Sequence, residues 1–70
     1  MKRDQRYHIR RAIEICGGTQ AALAAAVGVS QPTVSRWLRG QAVDYAHAFS
    51  VQEATHGEVT QKKLRPDVKW

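Results

Sequence analysis

From residue 31 to residue 39 the chain reads QPTVSRWLR, a stretch rich in hydrogen-bonding side chains and free of acids. The Arg36 guanidinium offers two parallel N–H donors, the fork that complements guanine O6 and N7. The Gln31 carboxamide pairs one donor with one acceptor, as adenine N7 and N6 require. The hydroxyls of Thr33 and Ser35 are adaptable: either reads a base, touches a thymine methyl or bonds a phosphate. Arg39 closes the stretch, where it reaches a nucleic-acid backbone or is simply favoured by a helix C-terminal dipole. A solvated helix face would ordinarily carry Glu–Lys pairs.

Catalytic and metal chemistry finds no comparable grouping. His8, His47 and His56 lie far apart, and none is spaced usefully from Cys16 or a carboxylate. Cys16 falls on the apolar stripe of its segment and reads as a small core residue. As the single cysteine it excludes an intrachain disulfide and a four-cysteine zinc site, which suits a reducing compartment. Gly17 and Gly18 precede a helix cap, with no strand before them to make a phosphate-cradling loop. No enzyme, cofactor, metal or small-molecule ligand is expected.

The elements that must position residues 31–39 follow from periodicity and punctuation. Ile9, Ala12, Ile13 and Cys16 recur at helical spacing, predicting a first helix from about Asp4 to Cys16. Gly17 and Gly18 end it, and Thr19 caps a second, alanine-rich helix from Gln20 to Val27, with Leu23, Ala24 and Val27 on one narrow stripe. Gly28 stops that helix, Val29 plugs the turn, and Ser30 is placed to cap a third from Gln31 to Arg39. Pro32 sits in its first turn, where a missing amide hydrogen costs nothing. Val34, Trp37 and Leu38 then form an inward face, leaving the residues described above outside.

A fourth helix is predicted from Asp44, a good N-cap, to Thr55. Its apolar residues, among them Tyr45 and Phe49, cover more of the wheel than one buried stripe needs, so these two are expected between subunits. The tail after Gly57 reads either as a helical turn behind a Thr60 cap or as a short strand through Glu58 and Val59. Trp70 ends it, an apolar residue that packs back or lies across a dimer.

Two short helices joined by a tight glycine turn make a helix-turn-helix, whose second helix enters the major groove. Counted from Gln20, the small Ala24 is fifth, where the helices cross, and Gly28 is ninth, where the backbone turns left-handed. Val34 and Trp37 are fifteenth and eighteenth and pin the reading helix to the core. The predicted fold is all-α, a small DNA-binding domain of about five short helices. It spans residues 1–70, with the helix-turn-helix at 20–39, a basic segment at 1–8 and a tail at 58–70.

At these residues the chain resembles a known family. VGVSQPTVSRWLRG, with TQAALA before it and LRPDV after, is similar to the Cro-type repressors of phages and prophages, whose fold is lambda-repressor-like, and to the related YdaS-type bacterial regulators, sometimes called antitoxins. The resemblance implies a homodimeric repressor on a palindromic operator. It puts Gln31, Ser35 and Arg36 at positions that usually meet base edges and Gln20 at one that usually holds a phosphate.

Charge agrees with that partner. Of the 70 residues 11 are Lys or Arg and 6 are Asp or Glu, a formal net charge of +5 that favours a polyanion. The basic residues gather toward both ends, while residues 44–58 hold Asp44, Glu53 and Glu58 and no Lys or Arg, a flank that should face away from phosphates. Lys2, Arg3 and Arg6 stand near a helix start, where the dipole disfavours cations; phosphate contact would compensate. Lys62, Lys63 and Arg65 could serve similarly. Lacking an apolar leader or membrane span, the chain is expected in the cytoplasm, associated with the nucleoid. The rival reading is an interaction module or antitoxin-type regulator that uses the same scaffold to hold a toxin or polymerase subunit. It would call for an apolar outer face on the third helix.

Overall fold

The computed structural model describes residues 4–69. Asp4 opens the first helix, α1 (Gln5–Ile15), by accepting the amides of Arg6 and Tyr7 at 2.9 and 3.4 Å. The chain leaves α1 through Gly17 and Gly18, where the Gly18 amide reaches back to the Ile13 carbonyl at 2.7 Å. Thr19 caps α2 (Gln20–Val27) as predicted, its hydroxyl accepting the Ala22 amide at 3.0 Å.

At Gly28 the backbone turns left-handed with φ 86°, and its amide donates to the Ala24 carbonyl at 2.8 Å. A Cβ built there would meet nothing within 4 Å, so the position needs glycine for its dihedral angle and not for space. Behind Val29 comes α3 (Gln31–Leu38), with Pro32 in its first turn and Arg39 as its C-cap. Ser30 occupies the N-cap position, but its hydroxyl caps no amide. It pairs instead with the Thr33 hydroxyl at 2.9 Å, a side-chain partner that competes with the backbone for the same group.

Asp44 caps α4 (Tyr45–Ala54) through the His47 amide at 2.9 Å, and His56 (φ 53°) and Gly57 end it. The tail takes the helical option: Thr60 accepts the Lys63 amide at 3.2 Å and starts α5 (Gln61–Leu64). No strand occurs among the described residues. A strand at Glu58 and Val59 is pre-empted because both amides turn back onto Thr55, to its carbonyl at 3.1 Å and its hydroxyl at 3.1 Å.

One core joins all five helices. Ile9 and Ala12 from α1, Leu23 and Ala24 from α2, and Val34 and Trp37 from α3 are buried, as their spacing predicts. Ala48 and Val51 join them from α4, and Leu64 from α5. Val43 and Val59, from the connections, are buried too. The α3 anchors matter most for function, since burying Val34 alone is worth about 1.5–3 kcal/mol and fixes which face of the helix stays outside. α3 packs on both α1 and α2, so it is held from two sides.

Candidate nucleic-acid interface

With Val34 and Trp37 turned inward, Gln31, Pro32, Arg36 and Arg39 are exposed on the far side of α3, flanked by half-buried Thr33 and Ser35. The start of α2 meets this face. Gln20, Gln31, Pro32, Ser35 and Arg39 line an open concavity of about 350 Å³ between the two helices. Four of the residues predicted to contact DNA are thereby brought into one depression, and Arg36 and Thr33 lie outside its lining.

Hydrogen bonding leaves most of this face available. Arg39 Nη2 donates to Ser35 Oγ at 3.2 Å, and Thr33 pairs with Ser30. Among the described residues neither Arg36 nor Arg39 has a carboxylate partner, in contrast to Arg6, Arg11 and Arg65. No side-chain hydrogen bond holds the Arg36 guanidinium in the described chain. Arg36 on α3 and Arg39 at its C-cap therefore stand without a counterion among the described residues.

The other predicted contacts are placed differently. Arg6 is engaged with Asp4 at 2.8 Å, a pair that lowers the Asp4 carboxyl and raises the Arg6 guanidinium relative to their ordinary pKa values. Both partners stay about half exposed, so this pairing is a weak restraint. Lys2, Arg3 and Trp70 lie outside the described residues. Tyr45 and Phe49 sit one turn apart on α4 and are 65% and 50% exposed, an aromatic pair the chain itself leaves largely uncovered.

Arg65 has a structural task. Its Nη1 donates to the Val43 carbonyl at 2.9 Å while its guanidinium pairs with Asp67 at 2.8 Å, tying the tail to the connection before α4. Cys16 is half-buried, its thiol donating to the Ala54 carbonyl at 3.6 Å, and burial pushes its pKa up. Among the described residues no three His, Cys, Asp or Glu side chains gather as a metal site would need, and no helix is long and apolar enough to cross a membrane.

One participant was not legible in the sequence. Gln5 Nε2 donates to the Trp37 carbonyl at 3.0 Å and to the Gln41 carbonyl, and its Oε1 accepts the Val43 amide at 3.1 Å. A glutamine in a charged segment carries no periodic or capping signal that would announce such a long-range role.

The model of a family described as bacterial toxin YdaS matches residues 9–70, nearly the whole chain. The chain belongs to the YdaS family. Over its full length it is 37% identical to the candidate transcriptional regulator YdaS of Escherichia coli (strain K12), of which it covers 70%. Among solved structures, this YdaS-family chain superposes on the Cro protein of a candidate prophage element, Xfaso 1, in Xylella fastidiosa strain Ann-1. The TM-score is 0.81 and the identity 35%, over 90% of this chain and 95% of that one. The resemblance to both Cro-type and YdaS-type proteins, read over roughly Ile9 to Val68 and densest from Gln20 to Gly40, is thus borne out, as is the all-α fold of about five short helices.

Proposed function

We propose that the chain is a non-enzymatic DNA-binding transcriptional regulator, a repressor that acts as a homodimer on a palindromic operator. The observation that carries this reading is the outward side of α3, polar and cationic with no acid, standing beside Gln20 at the start of α2. The similarity to a protein named as a transcriptional regulator and to a Cro protein supports it.

In this account Arg36 and Gln31 read bases in the major groove, helped by Ser35 and Thr33. Gln20 and Arg39 bond phosphates on either side, and Lys2, Arg3 and Arg6 add further backbone contacts that carry affinity without sequence. Tyr45 and Phe49, with Trp70, lie between subunits, setting two copies of α3 about 34–36 Å apart. Occupancy alone then blocks polymerase. A toxin or polymerase subunit as the main partner would want apolar anchors on α3, whereas the exposed aromatic residues, Tyr7, Tyr45 and Phe49, are on α1 and α4.

Titration with duplex DNA at two salt concentrations tests the reading, followed by selection of bound sequences from a random duplex library. Salt-sensitive binding and recovery of a two-fold symmetric sequence are expected. Weak, salt-insensitive binding would refute it.

A further inference from the structure

We propose that Gln5 is a positioning residue for DNA reading: its carboxamide clamps the last turn of α3 and the connection that follows, and so sets the aim of Arg36 and Arg39. This rests on the regulatory reading above.

The last turn of any helix leaves carbonyls without intrahelical partners. Here the Arg36 carbonyl accepts the Gln41 amide at 3.1 Å and the Trp37 carbonyl the Gly40 amide at 3.1 Å, with Gly40 at φ 104°. These bonds are local and close the turn on itself. They do not fix α3 against the rest of the protein. Gln5, at the first position of α1, adds a hydrogen-bonded link to the apolar packing that holds α3 on α1 and α2.

Its two N–H groups go to the Trp37 and Gln41 carbonyls and its oxygen takes the Val43 amide, across separations of 32 to 38 residues. Val43 is fully buried, and its carbonyl is held by Arg65. The connection between α3 and α4 is therefore gripped from α1 on one side and from the tail on the other.

Only a carboxamide satisfies all three backbone groups. A carboxylate would face two carbonyl oxygens with nothing to donate, and an apolar side chain would leave the Val43 amide unpaired. Arg36 and Arg39 project from the turn that this clamp holds. A bidentate base contact tolerates only about 0.5 Å and 10–20° of error in its supporting frame. Phosphate attraction is far less demanding. Loosening the clamp should therefore cost sequence-specific binding more than non-specific binding.

The test compares the full-length wild type with Gln5→Met and Gln5→Glu, each held well below its unfolding temperature. The probes are the duplex selected by the wild type and a scrambled duplex at the same salt. Each variant is expected to lose about tenfold or more on the selected duplex, the worth of a good base contact, with much less change on the scrambled one. Amide exchange gives a second readout. The Val43 N–H, although outside any helix, should be protected in the wild type and exchange faster in the variants.

Equal losses on the two duplexes, or no loss on either, would overturn the proposal. So would rapid exchange of the Val43 amide in the wild type, a measurement that needs no variant to fold. A wild type that binds no duplex at all would defeat the regulatory reading and this proposal with it. Intact wild-type selection with unchanged variants defeats the proposal alone.

Discussion

Replacing Arg36 by alanine removes a guanidinium that holds no carboxylate and no side-chain partner among the described residues. The helix is not expected to suffer. Position 36 is exposed, alanine is at least as good a helix former as arginine, and no buried group is orphaned, so stability should stay within about 0.5 kcal/mol. Any larger change in binding then belongs to the interface.

A bidentate arginine–guanine pair is worth about 1–3 kcal/mol of discrimination. A dimer carries the substitution twice, so the loss on a two-fold symmetric operator is about 2–6 kcal/mol, from roughly thirtyfold to about twenty-thousandfold in affinity. Fluorescence anisotropy with the selected and a scrambled duplex at one salt concentration measures it. The scrambled duplex should lose far less, because non-specific binding is a sum over phosphates. Equal losses on both would make Arg36 a phosphate contact and refute the reasoning. A large drop in unfolding temperature would instead give Arg36 a structural role.

Thr55→Val keeps the shape of a fully buried side chain but leaves the Val59 amide without its hydroxyl partner. It should cost about 1–3 kcal/mol in thermal unfolding, and an unchanged melting temperature would contradict the assignment. Asp44→Ala removes the α4 cap and should cost about 1 kcal/mol at neutral pH in urea unfolding. The His47 amide, hydrogen-bonded to the Asp44 carboxylate, holds its pKa below the usual value. The stabilisation is therefore complete above the unfolded pKa and lost as pH falls through the lower folded one. The gap between wild type and variant should shrink in strong acid, and a constant gap would count against it. Tyr45→Asp combined with Phe49→Asp should give a monomer in sedimentation and weaker operator binding; a wild type that is itself monomeric at high concentration would remove α4 from the assembly.

The helix-turn-helix was legible because its demands are local and steric. Thr19, Gly28 and Pro32 mark element ends within a residue or so, and Val34 and Trp37 declare an inward face by spacing alone. Core residues in the connections were harder to foresee. Val43 and Val59 belong to no periodic pattern, and their burial is compatible with a connection only because Gln5, Arg65 and Thr55 satisfy their backbone groups. Ser30 marks the start of α3 correctly yet pairs with Thr33, since side-chain hydroxyls choose partners by geometry that spacing does not encode. The clamp made by Gln5 is the clearest case: its three bonds exist only once α1 and the end of α3 have met.

The central claim is that the polar side of α3, with Gln20 beside it, is the surface that meets DNA. Adding the selected duplex to labelled protein and following backbone amide shifts by NMR tests this most directly. The largest changes are expected at Gln20, Gln31, Ser35, Arg36 and Arg39. Shifts concentrated around Tyr45 and Phe49, with α3 unmoved, would contradict the account.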